Sequence, residues 1–286
     1  KIYLPTPRIW QIIIYYINII IMSDNKKNII LGLDISTATI GVCLLLDDGS
    51  EYGQIIELTH ICPKVPRKTD KREALFMKTD IFKNEFLSKY KDYGITECVI
   101  EAPLLSSNNN ETVATLLQFN GMISLAVYNE LGIVPQYISS YDARKYSFPE
   151  LMGIRKYGKD ESQYEYSKIK KEIKDSKLVL FGSYPWTIDK KSVLQEKVAE
   201  IFPQINWVYN KKGELLKQNF DASDAFVALL GCLNKKRYGE LDFKTENIKE
   251  VKNEDGSITI TYDVSYWNKK TTRTTYIESE KKERSN

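Results

Sequence analysis

Residues 28–46, NIILGLDISTATIGVCLLL, decide how the rest of this chain is read. Ile29, Ile30, Leu31 and Leu33 form a near-continuous apolar run, the pattern of a strand covered on both faces. Ser36-Thr37 gives a turn, and Thr39 to Leu46 resumes as a second β-rich run closed by Asp47-Asp48-Gly49. In the middle sits an acid, Asp34. A carboxylate desolvated in such a sheet is protonated unless a cation or hydrogen-bond donors hold it, and a metal ion is the natural candidate.

Working outward, Glu51 to His60 reads as a third strand, making an antiparallel meander. Lys64 to Lys71 is a basic, proline-containing connection. Apolar residues from Leu75 to Leu87 recur at helical spacing, with Thr69 as the expected N-cap, Tyr90 as the far limit and Gly94 as the stop. The stretch TECVIEAP is a fourth strand running straight into Glu101 and then Pro103, so a second acid closes a buried strand. After a polar loop at 106–110, the helix Glu111 to Leu131 is apolar on more than one face, which makes it either sandwiched or part of a subunit interface. Gly132 caps it. Ile133 to Ser139 is a fifth strand and Tyr141 to Tyr146 begins another helix.

Residues 147–189 are aromatic, lysine-rich and broken by glycine and proline, an insertion suited to phosphate contacts and base stacking. Lys190 to Phe202 regains helical periodicity until Pro203. Phe220 to Leu233 is a last core helix whose first turn holds Asp221 and Asp224, on one face because i and i+3 are helical neighbours. Beyond Tyr238 the pattern alternates. Ser257–Trp267 and Thr271–Ile277 are expected as strands of a small β appendage before a charged tail. The expected division is 1–21 as an upstream extension, 22–240 as the main domain with its insertion at 147–189, and 241–286 as appendage and tail.

A length of 286 residues allows one large domain with an appendage. A hydrophobic content of 42%, a charged content of 28% and a net charge of +3 fit a globular protein and leave nucleic acid to the distribution of charge. Cys43, Cys62, Cys98 and Cys232 form no CxxC pair and read as free thiols of a reducing, cytoplasmic compartment. His60 is the only histidine, which excludes a His-rich zinc site and leaves a Ser-His-Asp triad unsupported. The run from Ile9 to Met22 is short of the roughly 18 residues of a spanning helix, and no membrane role is expected. Residues 1–21 are read as upstream sequence outside the working protein, with a membrane-tethering tail as the alternative.

Three elements thus bring acids together: Asp34, Glu101, and Asp221 with Asp224. Clustered carboxylates repel unless divalent cations neutralise them. Two-metal phosphodiester hydrolysis uses such an arrangement.

At these residues the chain resembles the RuvC-like Holliday-junction resolvases of the RNase H-like superfamily. The order is LGLDIST (31–37), VIEAPL (99–104), QFNG (118–121), PQYISSYDARKY (135–146), KKSVLQEKVAEIF (190–202) and DASDAF (221–226). The resemblance implies an α/β, RNase H-like fold: a five-stranded mixed sheet of three antiparallel then two parallel strands, flanked by helices. It implies two Mg²⁺ per site, replaceable by Mn²⁺, with Asp34 bridging both and Glu101 and Asp224 or Asp221 completing the set. It also implies a lysine, Lys190 or Lys191, at the scissile phosphate, and a homodimer cutting opposed strands of a branched DNA such as a four-way junction, flap or Y. Leu104 and Leu105 stand where some of these resolvases carry a wedging aromatic. The Ile, Asn, Lys and Tyr usage is compatible with a virus, phage or low-GC bacterium.

Two rivals remain. Actin-like sugar or acetate kinases share a strand-turn-strand reading LGxDxGT, but Ser36 replaces the glycine that admits a phosphate and no second glycine-rich motif follows. A non-catalytic DNA-binding relative would not need four intact acids.

Overall fold

The computed structural model describes residues 28–103, 109–151 and 190–277. The upstream extension 1–21, Leu104 and Leu105, residues 152–189 of the expected insertion and the tail from 278 lie outside the described residues.

Five strands form the central sheet: β1 (Asn28–Ile35), β2 (Ile40–Asp47), β3 (Gln54–Ile61), β4 (Ile95–Glu101) and β5 (Gln136–Ile138). Their spatial order is β3-β2-β1-β4-β5. The first three pair antiparallel, and β4 and β5 add in parallel to β1. This is the expected five-stranded mixed sheet, three antiparallel strands followed by two parallel ones. The short antiparallel links are hairpins, whereas each parallel addition needs a helix as crossover.

Those crossovers are α1 (Lys71–Phe82) and α2 (Asn110–Leu131). Helix α3 (Ser140–Ser147) follows β5; α4 (Lys190–Ile201) and α5 (Gln218–Tyr238) complete the core. Alternation along each strand divides the interior in two. Leu31, Leu33, Val42, Leu44 and Ile100 face Phe82, Phe119 and Ile123. Ile30, Cys43, Leu45 and Val99 face Phe226, Leu229 and Leu230 on the other side. Each such side chain contributes roughly 1.5–3 kcal/mol on burial, so β1 and β2, covered on both faces, anchor the fold. Helix α5 is buried over most of its circumference, lying on β1 and β2 and covered by α3 and α4.

Glycines let α5 lie that close. A Cβ on Gly32 would sit 2.5 Å from the Ala225 carbonyl oxygen, and one on Gly41 1.9 Å from that of Asp221. Both belong to the strand face that α5 covers.

The second sheet is antiparallel, β6 (Lys244–Lys252), β7 (Ile258–Tyr266) and β8 (Lys269–Ile277), in the order β6-β7-β8. Its β7–β8 turn carries Trp267 at φ 49°. A left-handed conformation costs a tryptophan about 1–2 kcal/mol. Three ring contacts at about 0.5–1.5 kcal/mol each offset it: Tyr146 at 6.5 Å, Tyr238 at 4.8 Å and Tyr266 at 5.9 Å between centroids. Lys269 beside the turn pairs with Glu51 of the β2–β3 hairpin.

Several boundaries differ from the sequence reading. Asp70, not Thr69, caps α1, accepting from the backbone N–H groups of Arg72 at 2.9 Å and Glu73 at 3.3 Å; a carboxylate suits a helix N-terminus better than a hydroxyl. The regular α-helix does not reach Tyr90 but passes through a π-turn at Lys83–Leu87. There the aromatic pair Phe82 and Phe86 stacks, with centroids 5.8 Å apart. Strand β3 begins at Gln54 because Gly53, at φ 68°, is still part of the turn. Strand β6 was not foreseen, since KTENIKEVK has charge on both faces and a register shift between Glu246 and Lys249. All four cysteines are free as expected; Cys43 and Cys98 are buried, whereas Cys62 and Cys232, the latter in an apolar helical run, are only half-buried.

Candidate active site

Asp34 lies one residue beyond the Leu33–Ile100 pair on β1, and Glu101 lies one residue beyond it on β4. In-register residues of adjacent parallel strands point to the same face about 4.8 Å apart, so these two acids stand side by side. That face is the α5 face, because Gly32 and Val99, two residues earlier on each strand, meet α5. Gly41, paired with Asp34 across the hairpin, lies under the Asp221 carbonyl. Helix α5 therefore brings its first-turn acid Asp221 and, one turn on, the buried Asp224 to the same end of the sheet. Asp221 lies in the first turn and is not the N-cap, which is Lys217.

The β1–β2 turn is held by Ser36. Its Oγ donates to the Thr39 carbonyl at 2.9 Å and accepts from the Thr39 N–H at 2.9 Å. The Nζ of Lys78 on α1 donates to the Thr37 carbonyl at 2.5 Å. The turn beside Asp34 is thereby fixed from two sides.

Lys191, in the first turn of α4, reaches into this cluster. Its Nζ is 3.4 Å from an Asp224 oxygen and 3.7 Å from an Asp221 oxygen. Lys190, its neighbour, is exposed and not brought to the acids. Arg144 on α3 is the residue the sequence reading missed. Its guanidinium charge acts on both Glu101 and Asp224. The signal was available: Ile138 pairs with Glu101, and a helix beginning two residues later, capped by Ser139, rises beside that carboxylate. Close α3–α5 packing at Gly231, where a Cβ would be 2.6 Å from the Ala143 carbonyl oxygen, keeps Arg144 there.

The electrostatics are those of crowded like charges in a desolvated place. Burial pushes the Asp34 carboxyl well above its ordinary range, and the charges of Glu101, Asp224 and Asp221 push it further, against Lys191. Burial, then Asp224, raises Glu101 to about 7, with Arg144 and Lys191 opposing. Burial also raises Asp224 and Asp221, and Lys191 opposes both shifts. Burial alone would lower the Lys191 ammonium, but Asp224, Asp221 and Asp34 outweigh it and hold it raised.

Four carboxylates in one desolvated place, three of them raised by acidic neighbours, form a donor set suited to hard, oxygen-seeking cations. Among the described residues no three carboxylate, histidine or cysteine side chains form a ready-made cage. Lys191 is the counter-charge beside the α5 pair. The donor chemistry fits Mg²⁺ or Mn²⁺, the ions closest to this all-oxygen character. No described helix is long and apolar enough to cross a membrane.

No family model and no curated protein matches the sequence. Among solved structures the chain is similar to a Thermus thermophilus RuvC in complex with Holliday junction substrate, at 9% identity and a TM-score of 0.45, covering 74% of this chain and 96% of that one. It is similar to the yeast mitochondrial Holliday junction resolvase Ydc2 at 14% identity and a TM-score of 0.39, covering 74% and 82%. A ROK hexokinase from Thermus thermophilus matches at 13% identity and a TM-score of 0.26, over 44% and 39%.

Proposed function

We propose that this chain is a divalent-metal-dependent endonuclease that hydrolyses phosphodiester bonds in branched DNA, the four-way junction foremost. The observation that carries the reading is the meeting of Asp34, Glu101, Asp221 and Asp224, from three elements, in a desolvated cluster with two cations at its border. Asp34, Glu101 and Asp224 would hold the metal, with Asp221 as the outer, less buried member. Two bound Mg²⁺ ions would neutralise the acids, activate water and stabilise the departing oxygen.

The chain's own residues supply position and charge. Half-exposed Lys191 faces both the acids and solvent, so it can hold a non-bridging phosphate oxygen at the mouth of the site. Arg144 borders Glu101 and Asp224 from α3 and limits the repulsion between them. Ser36 and Thr39 fix the turn beside Asp34. Branched DNA rather than linear DNA is inferred from the order of motifs that resembles the RuvC-like resolvases. The kinase reading has no glycine-rich phosphate cradle beside Asp34 to support it. A cleavage panel of four-way, Y-shaped, flap and linear DNA with Mg²⁺ or Mn²⁺ tests the proposal. Branched substrates are expected to be cut and linear duplex spared; ATP hydrolysis with every DNA left intact would overturn it.

A homodimer is part of the proposal, and α2 offers the surface. Between Glu111 and Glu130 this helix has no charged residue, in a chain that is 28% charged. Leu117, Leu125 and Tyr128 are 43%, 58% and 52% exposed, and nothing lies within 4 Å of a Cβ on Gly121 between them. The stripe is self-complementary. An antiparallel crossing at Gly121 sets Leu117 against Leu125 of a second copy and the small Ala114 against its Tyr128. Interface centres are depleted of charge in the same way. Wild-type protein is expected to sediment as a dimer at micromolar concentration and Leu125→Glu as a folded monomer; equal mass for the two would remove α2 from the interface.

A further inference from the structure

We infer that the connection 62–70 and the first turn of α1 form a phosphate-binding strap that holds the duplex arm of DNA next to the carboxylate cluster. The inference rests on the nuclease reading and assigns it a surface.

Charge is the first observation. From Lys64 to Arg72 the sequence KVPRKTDKR has five cations and one acid, a local excess larger than the +3 of the whole chain. The acid, Asp70, is engaged as the N-cap of α1. Lys71 pairs with Glu111 at 2.6 Å. Lys64, Arg67, Lys68 and Arg72 are exposed and make no ion pair among the described residues. A solvated basic run of this kind is common, so placement decides.

The strap leaves the sheet at the catalytic edge. Ile61 pairs with Ile40, Ile40 pairs with Ile35, and Asp34 is the next residue back along β1. With strands spaced about 4.8 Å apart, the root of the strap is roughly 10 Å from Asp34. Nine residues span at most about 30 Å, enough to follow several phosphates and short enough to remain beside the site.

The strap is also held in shape. Pro63 is buried, and the Thr69 N–H donates to the Pro66 carbonyl at 3.1 Å, closing a turn. Thr39 Oγ1 lies 4.0 Å from the Cys62 Sγ at the root, and the Thr39 N–H donates to Ser36 Oγ in the turn that follows Asp34. The cations are thus presented by backbone tied to the turn beside Asp34 and lose less freedom on binding than a loose tail would. An anionic membrane is the poorer match, because Val65 is half-buried and Pro63 buried, leaving the compact Pro66 ring as the one exposed apolar side chain between the cations.

The test uses a fluorescent four-way junction with Ca²⁺ for binding and Mg²⁺ for cleavage, and compares wild type with Lys64→Ala/Arg67→Ala/Lys68→Ala/Arg72→Ala. Each lost phosphate contact reduces the slope of log affinity against log salt by about 0.9. The quadruple variant is expected to bind with a slope shallower by roughly three to four, while single-turnover cleavage at saturating protein stays within a few-fold of wild type. A wild type that cuts the junction, with a variant of unchanged slope and affinity, overturns the strap and leaves the nuclease reading standing. A wild type that neither binds nor cuts DNA overturns both. Loss of binding to phosphatidylserine vesicles with DNA binding intact also overturns the strap.

Discussion

Asp34→Asn is expected to lower cleavage of branched DNA by roughly a thousandfold or more and, in metal-free buffer, to raise the melting temperature. Metal-assisted charge stabilisation is worth several kcal/mol, and each 1.36 kcal/mol is tenfold in rate, so loss of one central ligand reaches that size. Glu101→Gln should behave alike. The stability effect has the opposite sign because Asp34 is raised by burial and by three neighbouring acids. A neutral amide of nearly the same shape removes that repulsion. The pH dependence follows from the same crowding. Glu101 titrates at about 7 in the folded protein against an ordinary 4.5, so across that window the folded state binds more protons than the unfolded one. The Glu101 contribution to the stability of metal-free wild type is therefore fully present below the ordinary carboxylate pKa and is lost as pH rises through about 7. Asp34→Asn flattens that fall, and Mg²⁺ offsets it for wild type through linkage. Calorimetry from pH 4 to 9 with and without Mg²⁺, beside the cleavage assay, checks this. A variant that cuts at the wild-type rate, or that melts well below metal-free wild type, contradicts the assignment.

Gly41→Ala should be the most damaging glycine-to-alanine change among the described residues. Its Cβ would stand 1.9 Å from the Asp221 carbonyl oxygen and 2.2 Å from the carbonyl carbon, both backbone atoms of a buried helix. No rotamer relieves that contact. Either α5 moves off β2, taking Asp221 and Asp224 with it, or the hairpin bends away from Asp34. Overpacking of this severity costs about 3 kcal/mol or more. Chemical denaturation is expected to show that loss, and protein that still folds is expected to bind Mg²⁺ weakly. A Gly41→Ala variant with wild-type stability and cleavage would mean that α5 does not rest on β2 as described.

The acids were legible in the sequence because each sits where a long apolar run ends, and burying an acid at a strand terminus needs a chemical reason. Asp34 and Glu101 announced themselves that way, and Asp221 and Asp224 through helical spacing. Gly32 and Gly41 were not legible, since glycine in a strand is unremarkable until a helix is known to cross it. Arg144 was overlooked for a related reason: a lone arginine in a short amphipathic helix looks like solvent-facing charge unless the strand before it is known to pair with Glu101. Strand β6 was missed because charge on both faces erases the alternation that marks a strand. The choice between Lys190 and Lys191 depended on the rotation of α4, which spacing alone cannot fix.

Trp267 has a consequence for any attempt to shorten the chain. The indole fills the gap between Tyr146 on α3 and Tyr238 on α5, while Lys269 fastens the same corner to Glu51. Removing the C-terminal sheet would bare two tyrosine rings and leave that corner of the hairpin held by Arg237 of α5, which donates to the Ser50 carbonyl at 2.7 Å and pairs with Asp47. The appendage is a keystone wedged between α3, α5 and the β2–β3 hairpin, and a truncated version needs polar replacements at positions 146 and 238 before it can stand alone.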